Sequence, residues 1–388
     1  MDKKIVNFFI KKVIETYPKL SDIIFTPYQP LEIILHGQVQ RLNISGLKKL
    51  SPFQTESIAL ALINNKRRLL RELITTGSCD LSHQVGNIRL RVNIFSQRTG
   101  YAIVMRKLPE SIPTIEELNL PSVFKEIAKE VSGIVLFAGP TGSGKSTSIA
   151  AILEEINRNK SVHIITLEDP IEFTFTPYKS TFNQRELGTD FNDFATALRA
   201  ALRQAPHVIM VGEMRDVETV KIALSAAETG HLVLSTIHAT YAGQVIHRIV
   251  DMLGKAEEQF ARIRLAGSLR WIICQKLLPT QDGKRLAIFE ILKNTLRVQD
   301  AILGQGEQET FYDILTKGST FGMQTFDQCL IRAYEKGIID EDTALIHATF
   351  RSVVRRGIDQ IKVKRGEITS EIEGLTVEEE TKDSFELL

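Results

Sequence analysis

Residues 139–146, Gly-Pro-Thr-Gly-Ser-Gly-Lys-Ser, have the types and spacing of a phosphate-binding loop. Glycines take positive φ without a Cβ clash, so successive backbone N–H groups can converge on one anion. We expect Lys145 to reach the β- and γ-phosphates of ATP, and the Ser146 hydroxyl to bind Mg²⁺. The predicted nucleotide-binding residues are Gly139, Pro140, Thr141, Gly142, Ser143, Gly144, Lys145, Ser146 and Thr147.

The flanking segments supply the strand and the helix that this loop requires. Residues 134–137 form a short apolar run that is typical of a buried parallel strand. Residues 148–157 place isoleucine and leucine at helical spacing. From residue 114 onward helical and strand patterns alternate, which predicts a parallel sheet covered on both faces, an α/β fold.

Carboxylates end the next two apolar strands. Glu168 and Asp169 follow the apolar run that begins at Val162, and Glu213 follows the run that begins at Val208. Ligands of open α/β sheets lie beyond the carboxyl ends of the strands. We therefore expect Glu213 to activate the attacking water, and Glu168 and Asp169 to serve Mg²⁺ and water, Glu168 through a water molecule. The alternative is that these acids cap helices or end strands at the surface.

Two histidines flank a further predicted strand, residues 232–237. His231 precedes it and His238 follows it. They could sense the γ-phosphate or contact the catalytic acids, or they could be structural. Metal binding by them is disfavoured, because no other His or Cys lies at a ligand-like spacing.

Composition bounds the class of protein. The chain has 388 residues, 43% hydrophobic and 24% charged, which suits two folded domains. No apolar run approaches the roughly 18–20 residues of a membrane span, and no export signal is present, so we expect a cytoplasmic protein. The formal net charge of +1 gives no basic excess, and no nucleic-acid partner is expected.

The pattern divides the chain into successive regions. Helices are predicted over residues 52–71 and 257–275. The acidic end is expected to be disordered, because residues 367–388 hold eight acidic residues and one lysine. The predicted regions are an α+β domain (1–106), a linker (107–113), an ATPase domain (114–290), a helical region (291–357) and a basic, then acidic, tail (358–388).

The motifs together resemble those of the type IV pilus retraction ATPases, the PilT and PilU type within the secretion ATPase superfamily. Three further motifs stand in the family's order after the phosphate loop: TLEDPIEF (166–173), VIMVGEMRD (208–216) and TGHLVLSTIHA (229–239). FNQRELG, QKLLPTQDGK and GMQTFDQ also match. The resemblance covers roughly residues 1–350.

The resemblance implies a PAS-like first domain and a RecA-like second domain, assembled as a ring of six. It also implies a pilus platform protein at the inner membrane as partner, with the motor at the cytoplasmic face of that membrane. Arginines of the first domain are implied near the phosphates, and Arg91 and Arg106 fit the spacing. Such cations stabilise charge on a transferring phosphoryl group.

The sequence departs from the family in one segment. Where retraction ATPases carry an AIRNLIRE-like helix, residues 294–303 keep little beyond Arg297. The wording of LRQAP (202–206), LLPTQDGK (277–284) and GMQTFDQ (322–328), together with the acidic tail, favours the PilU type. An accessory ATPase that depends on a paralogue therefore stays open beside the motor, as does a RecA-like nucleic-acid translocase.

Overall fold

A computed structural model describes residues 2–109, 111–305 and 309–367 of the chain. It contains two sheets, an antiparallel sheet in the N-terminal part and a mostly parallel sheet after it. Each sheet has a buried apolar core of its own. The α/β class with two sheet domains and a helical C-terminal part is confirmed.

The N-terminal domain is a six-stranded antiparallel sheet in the order β3-β2-β1-β6-β5-β4. Its strands alternate buried and exposed residues, so that one face packs on the helices. Its elements are α1 (Lys3–Thr16), β1 (Leu20–Phe25), β2 (Leu31–Leu35), β3 (Gln38–Leu42), α2 (Pro52–Ile63), α3 (Arg67–Thr76), β4 (Ser78–Val85), β5 (Ile88–Gln97) and β6 (Gly100–Lys107).

The helix predicted over residues 52–71 is wrong, because the chain forms two helices there. Helix α2 begins with a capping box, Ser51 accepting from the Gln54 amide and Gln54 from the Ser51 amide. It ends at Asn64, whose φ of 49° lies in the left-handed region that asparagine tolerates. The apolar periodicity continues across this break, so periodicity alone did not reveal it.

The second domain is a seven-stranded sheet in the order β13-β12-β7-β11-β10-β8-β9, parallel except for β13. Strands β7, β10 and β11 are buried at every position, as a sheet covered on both faces requires. Its elements up to the last strand are α4 (Val123–Lys129), β7 (Gly133–Ala138), α5 (Lys145–Asn159), β8 (His163–Glu168), β9 (Thr181–Glu186), α6 (Phe194–Ala201), β10 (Val208–Val211), α7 (Val217–Glu228), β11 (Leu232–Ile237), α8 (Ala242–Leu253), α9 (Glu258–Ser268), β12 (Leu269–Pro279) and β13 (Arg285–Lys293).

The helical C-terminal part packs against the edge of this sheet that β13 forms. It consists of α10 (Leu296–Leu303), α11 (Phe311–Lys317), α12 (Phe326–Glu335), α13 (Glu341–His347) and α14 (Arg351–Lys364). The basic segment that follows residue 357 is the last part of α14. The predicted acidic tail lies, from residue 368 on, outside the described residues.

The helix predicted over residues 257–275 is also wrong. Helix α9 ends at Ser268, and the chain continues as β12 between β7 and β13. The sheet buries most of Leu269–Pro279 on both sides, so this strand shows no period-2 pattern. The prediction therefore missed the strand that lies next to the phosphate loop.

Among the helices within residues 2–109, 111–305 and 309–367, none combines the length and apolarity of a membrane span.

Candidate active site

The carboxyl ends of β7, β8, β10 and β11 meet at one edge of the sheet, where they border a cavity of about 550 Å³. The phosphate loop follows β7 and leads into α5, so the first turn of that helix points into the cavity. Gly139, Gly142 and Gly144 have φ of 141°, 79° and 90°. These are conformations that residues with a Cβ rarely adopt. The loop geometry therefore agrees with the prediction.

The loop is arranged for an anion. Lys145 Nζ donates 2.9 Å bonds to the carbonyls of Gly139 and Pro140, which holds the cation over the loop. Burial lowers the pKa of Lys145, while the nearby Glu172 and Glu213 oppose that change. The buried Ser143 hydroxyl has no partner in the described part of the chain. A cation held by the loop, an unpartnered hydroxyl and the start of a helix lie together here, and they fit a nucleotide's phosphates.

Glu213 lies at the end of β10 and lines this cavity. Its side chain is 13% exposed and pairs with Arg215 on one oxygen. The other oxygen lies 3.5 Å from Nε2 of His238, which follows β11. Glu213 and His238 thus lie close together, which is one of the possibilities that the sequence left open for this histidine, and both line the cavity beside the phosphate loop.

Glu168 and Asp169 line the same cavity from the end of β8. Burial raises the pKa of Glu168 to about 7, although Thr166 and Gln184 donate hydrogen bonds of 2.6 and 3.1 Å to its Oε1. Burial also raises the pKa of Asp169, which Arg215 counteracts. Glu168 is therefore a carboxyl group whose charge responds to a nearby cation at neutral pH.

The two predicted arginines are neighbours on paired strands, but they have different contacts. Arg91 and Arg106 lie opposite each other on β5 and β6. Arg91 lines the cavity, with Asp80 3.9 Å away. Arg106 instead pairs at 2.9 Å with the buried Asp22. Of the two, the structure brings only Arg91 to the site.

His231 is not brought to the site of this chain, which corrects its predicted catalytic role there. It precedes β11, at the amino end of the sheet, whereas the cavity lies at the carboxyl end. Its Nδ1 lies 3.0 Å from the Ala226 carbonyl and 3.2 Å from the Thr229 hydroxyl. These contacts agree with the alternative that His231 is a structural residue in this chain.

Sequence reasoning missed three charged residues of the cavity: Glu172, Arg215 and Arg285. Glu172 and Arg215 stand inside the motifs already quoted, Glu172 three residues beyond Asp169 and Arg215 two residues beyond Glu213. Their place inside these motifs is the signal that could have identified them. Arg285 begins β13, and no local pattern indicates that the β12–β13 hairpin brings it here.

The two domains are joined beside the site by a buried ion pair. Arg89 on β5 donates to Glu186 at the end of β9 at 3.1 Å, and the Ser82 hydroxyl donates to the same oxygen at 2.6 Å. Arg68 adds a 2.8 Å bond to the Gly188 carbonyl. Arg89 thus holds the domain that carries Arg91 against the ATPase domain.

The residues fit Mg²⁺ only together with a phosphate. In the described part of the chain, no group of three or more His, Cys, Asp or Glu side chains could hold a metal. Mg²⁺ is commonly bound through few protein ligands, water and substrate phosphates. Ser146 at the cavity and Glu168 through water would complete such a set, with the nucleotide supplying the other oxygens.

Replacing Arg91 by alanine is expected to lower kcat for ATP hydrolysis by about tenfold or more, because a cation leaves the cavity where charge develops. The fold should survive, since the exposed contact with Asp80 contributes at most about 1 kcal/mol. Steady-state kinetics measures kcat, and thermal melting measures the stability of the fold. Arg98→Ala, on the turn after β5, is the control and should leave kcat unchanged. An Arg91→Ala enzyme as fast as the control would contradict the placement.

The family model described as "Type II/IV secretion system protein" matches residues 71–301. The type IV pilus retraction ATPase PilT of Pseudomonas aeruginosa is 40% identical over 326 residues, covering 84% of this chain and 93% of that protein. The type IV pilus ATPase PilU of the same organism is 39% identical over 330 residues, covering 84% of this chain and 85% of PilU.

A solved structure resembles the whole described architecture. It is the pilus retraction motor PilT with bound ADP, 39% identical, with a TM-score of 0.81. The match covers 90% of this chain and 98% of that one.

Proposed function

The chain belongs to the type II/IV secretion system protein family, and from that premise we propose that it is an ATP-hydrolysing motor for the retraction of type IV pili. It is a P-loop ATPase: ATP and water give ADP and phosphate. The observation that carries the proposal is the meeting of the phosphate loop, Glu213 and Glu168 in one cavity.

The chemistry follows from the positions of these residues. The loop amides and Lys145 hold the phosphates. Ser146, and Glu168 through a water molecule, would hold Mg²⁺, which would neutralise charge on the phosphates. Glu213 orients and deprotonates the attacking water, while His238 and Arg215 fix its carboxylate. Arg91, carried by the other domain, contributes positive charge when that domain lies against the site.

Mechanical work would come from the domain that carries Arg91. The position of this domain would depend on two contacts. One is the Arg89–Glu186 pair, and the other is between Arg91 and any phosphates in the cavity that Arg91 lines. Nucleotide binding closes the two domains on each other, and hydrolysis and release open them.

We further propose that the working form is a ring of six copies at the cytoplasmic face of the inner membrane, pulling through a pilus platform protein. Phe53 and Leu60, 77% and 47% exposed, lie seven residues apart on one face of α2 and would be covered by a neighbouring copy. Light scattering of the purified chain with ADP tests the ring. A monomer at all working concentrations would contradict it.

One observation favours an accessory role as the second candidate. Leu296–Leu303 forms α10, yet its sequence departs from the helix that retraction ATPases carry there. An accessory ATPase would support retraction only when a paralogue is present, so retraction assays with and without the paralogue distinguish the two roles.

The direct test of the activity is phosphate release by the purified chain with ATP and Mg²⁺. We expect turnover that added DNA does not change. Stimulation by DNA would support a nucleic-acid translocase instead of a pilus motor. A lack of turnover in every assembly state would contradict the proposal.

A further inference from the structure

Gln275 lies on β12, directly beside the strand that leads into the phosphate loop. The register pairs Cys274 of β12 with Ala138 of β7, so Gln275 stands next to Gly139, the first residue of the loop. The residue is 2% exposed and does not line the nucleotide cavity. A polar side chain is thus buried behind the loop, where the proposed chemistry gives it no part.

Its contacts reach both ends of the loop. The Gln275 carbonyl occupies the space that a Cβ on Gly139 would need, and its Nε2 lies 2.9 Å from the Cβ position of Gly144. Its Oε1 accepts a buried 2.9 Å bond from the Ser148 hydroxyl of α5. One residue therefore touches the first glycine, the last glycine and the first turn of the helix.

These contacts bear on the loop's conformation. Gly139 and Gly144 have φ of 141° and 90°, and the intervening amides converge on an anion only while both stay there. An apolar side chain of similar length would fill the volume but would not bond to Ser148. The buried side-chain amide of Gln275 therefore has a role that accounts for it: its hydrogen bond with Ser148 holds α5 in register with the loop.

The same strand connects the loop to the helical C-terminal part. Gln275 is opposite Phe289 on β13. The next residue, Lys276, places its Nζ 4.3 Å from the ring centroid of Phe326 on α12. A displacement of α12 therefore has a short path of packed residues to the phosphate loop.

We propose that Gln275 is a positioning residue for ATP hydrolysis, which holds the phosphate loop in its binding conformation. This inference rests on the proposed ATPase function of the same site. Gln275 acts through the loop and Ser148 and does not line the cavity.

The test is a double-mutant cycle on the purified full chain. Gln275→Met and Ser148→Ala each remove the same hydrogen bond, and each is expected to raise KM for ATP about fivefold, the value of one neutral hydrogen bond. The double variant should be no worse than the more affected single variant, because the bond is already lost. Ser148→Ala removes a single atom and keeps the test valid if Gln275→Met fails to fold.

Ser235→Ala is the matched control. It removes a buried hydroxyl bond of 2.8 Å to the Val211 carbonyl, which joins β11 to β10 and not β12 to the loop. It should lower the melting temperature without changing KM. The inference is overturned if Ser148→Ala changes KM no more than Ser235→Ala does, or if the effects of the two single changes multiply in the double variant. An inactive wild-type chain would instead refute the proposed function.

Discussion

Glu213→Gln is expected to bind ATP as the wild type does and to hydrolyse it about 10²–10⁴-fold more slowly. The carboxylate is the base that takes a proton from water, and general-base catalysis contributes that much. Glutamine keeps the length of the side chain, so the contacts toward Arg215 and His238 change in charge and little in shape. Binding of a fluorescent ATP analogue and phosphate release measure the two effects separately.

The control for this change is Glu218→Gln, on α7. Glu218 is exposed, pairs with Arg199, and does not line the cavity. It should retain full turnover. A Glu213→Gln enzyme with turnover close to that control would show that another group activates the water.

Lys145→Ala is expected to weaken ATP binding about 10- to 100-fold, since charge-assisted hydrogen bonds contribute about 1.5–3 kcal/mol each. Turnover should fall by about 10²–10³-fold at saturating ATP, because the same cation faces the charge that develops on the phosphates. Equilibrium binding and steady-state kinetics check the two numbers. The distinguishing signature is that this variant loses binding, which Glu213→Gln keeps.

Lys160→Ala provides a matched lysine at the opposite end of the same helix. Lys160 Nζ donates 2.9 Å to the Glu130 carbonyl, and burial lowers its pKa as it does that of Lys145. Its removal should lower the melting temperature slightly and leave ATP binding intact. Equal loss of binding in both variants would mean that the phosphate loop is not where the nucleotide binds.

The parts of the site that lie within one local pattern could be predicted from the sequence. The loop and the acids at the ends of β8 and β10 follow from apolar runs that stop at a glycine or a carboxylate. Parallel strands bring such ends to one edge, so Glu168 and Glu213 were found together without knowledge of the packing.

The parts that depend on packing between distant segments could not be predicted. Strand β12 is buried on both sides, so it carries no alternation, and Gln275 behind the loop was invisible for that reason. Arg89 and Arg91 are both on β5, and only the docking of the domains decides that one pairs with Glu186 and the other lines the cavity. His231 and His238 both flank β11, so they looked equivalent in sequence. His231 lies at the amino end of that strand, however, and His238 lies at its carboxyl end, where the cavity is.

The central claim is that ATP hydrolysis in this cavity powers the retraction of pili. Its most direct test counts retraction events of fluorescently labelled pili in cells that lack the chain and are complemented with either the wild type or Glu213→Gln. The account predicts that the wild type restores retraction and that Glu213→Gln, produced at the same level, does not. Retraction at the wild-type frequency with Glu213→Gln would contradict it.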